Sequence, residues 1–302
     1  MYMIRAIFLT LITGAVLAVL SGCSPLKVLN SLNPSGPVEH VNGLAYGPYP
    51  RNKLDIYMPR SKTANSPVVV FFYGGSWRRG SKTDYAFVGE ALAARGMVVV
   101  IADYRLYPQV RYPDFLDDSA KALAWAYKNA KTYGGDPDRL YVMGHSAGAY
   151  NAAMLALDPR WLAHEGLAPS ILSGWIGLAG PYDFLPIEEE EVKPVFFFPN
   201  SPPESQPINY VSAGAPPALL MASNTDTLVN PRRNTGGLAQ KLRAANVPAR
   251  DLYFSRTNHG TLVGAFAKLL SGLAPVVDEV DMFVKHTPGA QRETKGLGLT
   301  AQ

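Results

Sequence analysis

The chain has 302 residues, of which 47% are hydrophobic and 17% are charged, enough for one large α/β domain or two small ones. Its formal net charge is +4, and its basic residues form no run longer than a short pair. This balance argues against a nucleic-acid-binding protein, because a mildly basic and mixed surface is typical of solvated globular domains.

The amino-terminal segment has the pattern of an export signal. Arg5 precedes an apolar run from Ala6 to Leu20, which is shorter than the roughly 20 residues that a membrane-spanning helix needs. The run leads into Leu-Ser-Gly-Cys, and Cys23 is the single cysteine of the chain, so no disulfide can form within it.

This ending resembles the lipobox of bacterial lipoproteins, in which the cysteine thiol receives a diacylglycerol and becomes the first residue of the mature protein. The resemblance implies a signal peptide over residues 1–22, a lipid anchor on Cys23 and a location in the cell envelope. Ser24, which follows the cysteine, implies the outer membrane if the organism is Gram-negative. A plain secretory signal remains the alternative.

Residues 23–50 are rich in Pro, Gly, Ser and Asn, and this composition predicts a tether between the anchor and a folded domain over 51–286. Within that domain strands alternate with helices, which predicts an α/β fold with a mostly parallel sheet covered by helices on both faces. Strands are expected at 53–58, as an edge strand, and as buried apolar runs at 67–73, 97–102, 140–143, 173–179, 217–222 and 249–254. Helices are expected at 84–95, 114–132, 147–157, 234–245 and 261–286, the last one broken near Pro275.

Residues 181–214 interrupt this alternation after the sixth strand, and we expect them to form a small lid-like insertion. They contain four consecutive glutamates at 188–191, for which a solvated helical turn is the expected structure, and three phenylalanines at 196–198. The phenylalanines could pack beneath the insertion or line an acyl pocket. Residues 287–302 lack apolar periodicity and are expected to form a flexible tail.

The pentapeptide Gly144-His145-Ser146-Ala147-Gly148 lies between an apolar strand and a helical stretch rich in small residues. A G-x-S-x-G sequence in a strand–turn–helix setting is typical of the nucleophile elbow of an α/β-hydrolase. Ser146 is therefore the candidate nucleophile. Its hydroxyl needs a base to remove its proton, and that base needs a third group to hold its tautomer.

In this fold the order along the chain is serine, then an acid, then histidine. Of the five histidines, His259 is the candidate base, because it follows the last strand at its carboxyl end. Asp226 is the candidate acid, because it follows the preceding strand, while Asp183 in the insertion is a minor competitor. We expect His145 to point away from the catalytic groups.

Acyl transfer also needs hydrogen-bond donors aimed at the developing oxyanion. The backbone N–H of Ala147, directly after the nucleophile, is one candidate. The loop after strand 67–73 offers Gly75 and Ser76 as further donors, with Gly74 shaping the loop because paired glycines let the backbone approach a substrate oxygen.

Together these motifs resemble the α/β-hydrolase esterases of the carboxylesterase and hormone-sensitive-lipase branch. They are most similar to enzymes of the feruloyl and acetyl-xylan esterase, kynurenine formamidase and isoprenylcysteine methylesterase types. The resemblance covers about residues 50 to 285 and is carried by LDIY at 54–57, YGGSW at 73–77, DYRL at 103–106, GGDP at 134–137, GHSAG at 144–148 and GPYD at 180–183. It implies a serine hydrolase that acts on a small ester, with no metal and no organic cofactor.

One position departs from the pattern, since Tyr73 stands where most of these relatives have a histidine before the double glycine. That histidine usually braces the oxyanion loop and is not one of the three catalytic residues, so we expect catalysis to survive. The sequence leaves open an amidase of the arylformamidase type, a non-catalytic binding protein with the same fold, acyl transfer to an alcohol, and the oligomeric state.

Overall fold

The protein is described by a computed structural model that covers residues 25–33, 36–61 and 65–287. The proposed signal peptide, Cys23 and all but the first residue of the expected tail lie outside these ranges. Within them, no helix is both long enough and apolar enough to cross a bilayer.

The described residues form one twisted sheet with helices on both sides. The strands are β1 (Val38–Ala45), β2 (Lys53–Pro59), β3 (Ser66–Phe72), β4 (Val98–Ala102), β5 (Gly135–His145), β6 (Leu172–Leu178), β7 (Ala218–Ser223) and β8 (Ala249–Phe254). Their order across the sheet is β1-β2-β4-β3-β5-β6-β7-β8, with the first two pairings antiparallel and the rest parallel. This is the predicted α/β fold.

The helices are α1 (Pro25–Leu32), α2 (Ala86–Ala93), α3 (Asp114–Asn129), α4 (Ala147–Leu157), α5 (Pro159–Ala163), α6 (Gly237–Ala244), α7 (His259–Gly264) and α8 (Val276–His286). The predicted helix at 147–157 and strand at 249–254 have the expected bounds. Three predicted helices are shorter than expected because one end forms a different kind of helical turn. A 3₁₀ turn at Lys82–Tyr85 precedes α2, a 3₁₀ turn at Ala130–Tyr133 follows α3, and a π-helical turn at Arg232–Gly236 precedes α6. The long helix predicted at 261–286 is divided into α7, a 3₁₀ segment at Lys268–Leu273 and α8.

The segment expected to be a tether is instead largely folded onto the domain. β1 pairs along β2, so the strand that begins at Lys53 is not the edge strand that its alternating pattern suggested. Val38, Val41 and Leu44 of β1 pack against the main core. The Pro- and Gly-rich composition of this region does not indicate these apolar contacts.

Helix α1 is also attached to the domain, by two asparagines. Asn30 donates to the Thr83 carbonyl (2.7 Å) and accepts from the Phe87 N–H (3.0 Å). Asn33 donates to the Glu90 carboxylate (2.9 Å) and accepts from the Lys268 N–H (3.0 Å). These contacts fix the start of the described chain to the helical layer beside α2.

The centre of the sheet positions the site. β6 and β7 are buried along their whole length, as is most of β3. Because β3, β5, β6, β7 and β8 run parallel, their carboxyl ends meet at one edge, which is where this kind of sheet binds ligands. The candidate site residues follow these strands.

Candidate active site

Ser146 forms the sharp turn between β5 and α4. Its backbone has φ 54° and ψ −122°, on the positive-φ side that non-glycine residues rarely adopt. Its N–H donates to the Leu178 carbonyl (2.8 Å), and its carbonyl accepts from the N–H groups of Ala149 and Tyr150 as α4 begins. The strained turn is thus held by the neighbouring strand on one side and by the helix on the other.

The two glycines of the elbow leave no room for a side chain. A Cβ on Gly144 would lie 2.1 Å from the Gly148 carbonyl oxygen, and a Cβ on Gly148 would lie 2.0 Å from the Phe72 carbonyl oxygen. Both obstacles are backbone atoms, which cannot rotate aside. The G-x-S-x-G spacing is therefore a steric requirement of strand, turn and helix meeting at this distance.

His259 and Asp226 converge on this serine. His259 is the first residue of α7, whose start is fixed by Asn258 and Thr261 in a reciprocal capping box. The Nε2 of His259 lies 2.8 Å from Ser146 Oγ, and its Nδ1 lies 2.8 Å from Asp226 Oδ2. Since a carboxylate only accepts, Nδ1 carries the proton of the neutral ring, and Nε2 accepts from the serine hydroxyl.

The carboxylate of Asp226 is buried, and both of its oxygens accept hydrogen bonds. Its Oδ1 accepts from the N–H groups of Leu228 (2.9 Å) and Val229 (3.0 Å). Burial opposes the charge of Asp226, but the bonds from His259 and these two N–H groups outweigh it, so that the pKa of Asp226 is lowered. The carboxylate therefore stays ionised beside the imidazole.

The loops that carry these two residues are tied to each other. Ser223, at the end of β7, donates to the carbonyl of Thr257, and Thr225 donates to the same oxygen (2.8 Å). The segment before His259 is thus bonded to the segment before Asp226, which holds the separation of base and acid.

His145 has a place in the site that the sequence did not predict. Its ring is buried, with its centroid 5.0 Å from that of His259, and its Nε2 donates to the His259 carbonyl (2.9 Å). Burial, and to a smaller extent the nearby His259, lower the pKa of His145 to about 3. A neutral ring can therefore hold the backbone of His259 in place. The buried, unpartnered Nδ1 beside the elbow was not visible from sequence order.

The loop expected to supply oxyanion donors packs directly against Ser146. A Cβ on Gly74 would lie 2.8 Å from Ser146 Cβ, and Gly75 has φ +129° with the Arg79 carbonyl only 2.2 Å from its Cβ position. Ser76 and Trp77 follow with φ 55° and 56°. Gly75, Ser76 and Ala147 all line the same cleft as Ser146, while the Ser146 N–H is already used by Leu178.

Tyr73 anchors the start of this loop in the core. Its hydroxyl donates to Asp103 Oδ1 (2.7 Å) and accepts from Arg51 Nη2 (2.7 Å), and its ring stacks on Tyr104 with 4.9 Å between centroids. The same Arg51 nitrogen donates to the Gly80 carbonyl (2.9 Å), at the far end of the loop. Burial raises the pKa of Tyr73, so the hydroxyl remains a donor.

The cleft above Ser146 has a volume of about 700 Å³. Phe184, Ile187 and Leu228 give it apolar walls, and the rest of the lining comes from residues within 75–79, 145–147, 181–192 and 224–234, with His259. The predicted insertion after the sixth strand therefore forms one wall. It contains 3₁₀ turns and no α-helix among the described residues.

The insertion differs from expectation in its acidic run. Glu188, Glu189 and Glu190 are exposed, as predicted, but Glu191 is half-buried against the loop at 75–79 and forms an ion pair with Arg79. The turn expected for this run begins at Glu189, whose carbonyl accepts from the N–H groups of Val192 (2.9 Å) and Lys193 (3.2 Å), and the chain continues into a 3₁₀ turn at Lys193–Phe196.

Phe196 is buried, and it lies outside the cleft lining. It packs among aromatic rings, with 4.9 Å between its centroid and that of Trp77. Phe197 and Phe198 are exposed. Of the two alternatives for these phenylalanines, packing beneath the insertion therefore fits Phe196.

Asp183, the competing acid in the insertion, has another partner. It pairs with Arg233 (3.1 Å). Within residues 25–33, 36–61 and 65–287, no group of three or more His, Cys, Asp or Glu side chains is placed to hold a metal ion.

Comparison with known proteins finds a consistent set of relatives. The family model BD-FAE matches residues 54–195. Isoprenylcysteine alpha-carbonyl methylesterase of Arabidopsis thaliana is 30% identical over 240 residues, which cover 72% of this chain and 56% of that protein. A probable carboxylic ester hydrolase of Mycobacterium tuberculosis is 32% identical over 224 residues, which cover 68% of this chain and 52% of that protein. The chain thus spans about half the length of the curated relatives it matches.

Among solved structures, an esterase of Pyrobaculum calidifontis superposes with a TM-score of 0.70 at 22% sequence identity, covering 91% of this chain and 97% of that one. This likeness is one of fold. The chain belongs to the α/β-hydrolase superfamily, in its carboxylesterase and hormone-sensitive-lipase branch.

Proposed function

We propose that this protein is a serine hydrolase of carboxylic esters, with Ser146, His259 and Asp226 as its catalytic residues. The observation that carries the proposal is the continuous chain of hydrogen bonds from Asp226 through His259 to Ser146, each link 2.8 Å long. Nucleophile, base and orienting acid within such distances are what serine acyl transfer requires. Ester hydrolysis is also the chemistry named for the two curated relatives described above.

The reaction follows from the geometry. Ser146 Oγ attacks the carbonyl carbon of the ester while His259 Nε2 takes its proton, and Asp226 stabilises the imidazolium that forms. The tetrahedral oxyanion is held by N–H groups of Gly75, Ser76 and Ala147. Collapse expels the alcohol, which takes the proton from His259 and leaves an acyl-serine. Water, deprotonated by His259, then releases the acid and restores the hydroxyl.

The substrates we propose are short-chain or aryl esters. The apolar wall formed by Phe184, Ile187 and Leu228 suits a small acyl or aryl group, and the insertion of short turns is too small to form the deep lid of a lipase. We propose that the protein hydrolyses simple esters in preference to N-formyl amides, since both relatives named above are described as ester hydrolases.

The test is hydrolysis of p-nitrophenyl esters from acetate to laurate by the wild-type protein and by Ser146→Ala. The wild type should prefer the shorter chains. The alanine variant should lose at least about 1,000-fold in kcat/KM, because the nucleophilic oxygen is gone and His259 has no hydroxyl to deprotonate. Thermal unfolding of both proteins controls for folding. A Ser146→Ala protein as active as the wild type would contradict the proposal that Ser146 is the nucleophile.

We further propose that the protein is exported and lipidated on Cys23. The support is the apolar run that ends in the lipobox-like sequence Leu20-Ser21-Gly22-Cys23, close before the start of α1 at Pro25. Because α1 is bonded to the domain through Asn30 and Asn33, such an anchor would hold the catalytic domain close to the membrane surface.

This second proposal predicts a sorting difference between the full-length protein and its Cys23→Ser variant in a Gram-negative host. The wild type should sediment with membranes, and mass spectrometry should find a lipid on Cys23 as the first residue. The serine variant should lack that lipid. Wild-type protein in the soluble fraction with an unmodified thiol would contradict the proposal.

We also propose that His145 positions His259 through the bond to its carbonyl, and this has a consequence for stability at acid pH. The native pKa of His145 is near 3 whereas the unfolded ring has its ordinary value of 6.5, so between these values the unfolded chain binds a proton that the folded chain does not. Stability must therefore fall as the pH falls through this window, by roughly 1 kcal/mol for each pH unit.

His145→Gln keeps a donor near the His259 carbonyl but does not titrate. The measurement is the free energy of unfolding in urea for both proteins from about pH 7 down to about pH 4. The difference between them should shift steadily in favour of the glutamine variant as the pH falls. Parallel pH curves for the two proteins would mean that His145 does not remain neutral in the folded state.

A further inference from the structure

The loop that faces the oxyanion carries backbone strain in its middle. Ser76 and Trp77 both have φ near +55°, in the left-handed region, although neither is glycine. Such a conformation is strained and persists only where the surroundings hold it. The contacts around Ser76 and Trp77 therefore decide where the Ser76 N–H points.

Trp77 is held in place by the protein core. Its side chain is buried, its Nε1 donates to Asn151 Oδ1 (3.0 Å), and its carbonyl accepts from the Tyr107 N–H (2.8 Å). Asn151 lies on α4, the helix that begins after the nucleophile. This end of the loop is thus joined to the same element as Ser146.

Ser76 is held in place by a residue of the insertion. Its hydroxyl donates to Oε1 of Glu191 (2.5 Å), a residue 115 positions further along the chain. Arg79, at the other end of the turn, donates to both carboxylate oxygens of Glu191 (2.6 and 2.9 Å). Arg78 donates to the Glu191 backbone carbonyl (3.0 Å). Glu191 therefore links the two ends of the turn from Ser76 to Arg79. We call these hydrogen bonds of the Glu191 carboxylate to Ser76 and Arg79 the clasp.

The clasp contributes little to global stability by its charge alone. The side chains of Glu191 and Arg79 are 39% and 63% exposed, and ion pairs between such exposed groups typically add little to stability. The bidentate geometry instead fixes the direction of the carboxylate, which in turn fixes the Ser76 hydroxyl. The Arg79 guanidinium lowers the pKa of Glu191, so that it stays an acceptor in its charged form.

We infer that Glu191 is a positioning residue for the ester hydrolysis proposed above, on which this inference rests: its carboxylate clasps Ser76 and Arg79 and so keeps the Ser76 N–H aimed at the oxyanion. The insertion then has a part in catalysis besides forming a wall of the cleft. Glu191 acts through Ser76 and does not itself touch the reacting atoms.

The kinetic consequence is specific. An oxyanion donor interacts most strongly with the charge that develops in the transition state, so a displaced donor lowers kcat far more than it raises KM. Complete removal of one donor costs about 100- to 1,000-fold in kcat. Since loss of the clasp would misdirect the Ser76 N–H and leave the other donors in place, we expect a loss of roughly 10- to 100-fold.

The experiment compares Glu191→Ala and Glu191→Gln with a matched control, Glu190→Ala. Glu190 is the neighbouring carboxylate of the same insertion, is exposed, and bonds to Lys193 within that insertion. All proteins are titrated with a fluorophosphonate to count functional serines, and their unfolding temperatures are measured. Turnover of p-nitrophenyl acetate per functional serine then gives kcat and KM free of any misfolded fraction.

Glu191→Ala should lose kcat at nearly constant KM. Glu191→Gln should lose less, because its amide oxygen can still accept from Ser76. Glu190→Ala should stay within about twofold of the wild type. In a double-mutant cycle, adding Glu191→Ala to a Ser76→Ala protein should cost much less than it does alone, because both changes break the same link.

Two results would overturn the inference. The first is a Glu191→Ala protein with the kcat of Glu190→Ala, and the second is full additivity of the Ser76 and Glu191 changes. A wild-type protein that hydrolyses none of the esters would instead overturn the proposed function, and this inference with it.

Discussion

The close approach of α4 to the end of β3 is the constraint on which the site depends. Gly148 lies so near the Phe72 carbonyl, and Gly144 so near Gly148, that neither position has space for a Cβ. The chain can turn between them only if Ser146 adopts a positive φ, and this turn presents the serine side chain in the cleft. His259, Asp226 and the loop at 73–77 are all arranged around that one strained residue.

The surroundings of Ser146 form two layers of support. One layer holds the base, through the bond from His145 to the His259 carbonyl and through the joined loops after β7 and β8. The other holds the oxyanion loop, with Tyr73 fixing its start and Glu191 its middle. Both layers are made of short hydrogen bonds to backbone or to neighbouring loops, so the site is organised before substrate arrives.

Tyr73 shows how the position usually taken by histidine can be filled by a different side chain. Its hydroxyl joins Asp103 and Arg51, and Arg51 reaches on to the Gly80 carbonyl at the other end of the loop. Stacking on Tyr104 adds a rigid apolar contact. A tyrosine can thus tie both ends of the loop to the core, with Arg51 as the connecting group.

The sequence predicted what depends on local pattern and chain order. The buried strands, the helix after the elbow and the convergence of Ser146, Asp226 and His259 follow from apolar runs and from the order of residues along parallel strands. It did not predict what depends on distant pairing. The composition of residues 23–50 predicts a tether because it does not reveal that part of this segment pairs with β2. Glu191 is predicted to be one of four solvated glutamates because its partner Arg79 lies 112 residues away.

His145 combines a feature that the local sequence shows with one that depends on distant contacts. Its place next to the nucleophile was plain in the sequence, but its direction is set by the tertiary position of the His259 carbonyl. Sequence order alone could not show that a side chain beside the serine contacts the backbone of the base rather than pointing away from it.

The most direct test of the central claim is to identify the residue that reacts with a fluorophosphonate probe, by peptide mass spectrometry of the labelled wild-type protein. We expect one labelled residue, Ser146, with labelling slowed strongly in an Asp226→Asn protein because the imidazole loses its orienting carboxylate. Labelling at another serine, or equal rates in both proteins, would contradict the claim that Asp226 and His259 activate Ser146.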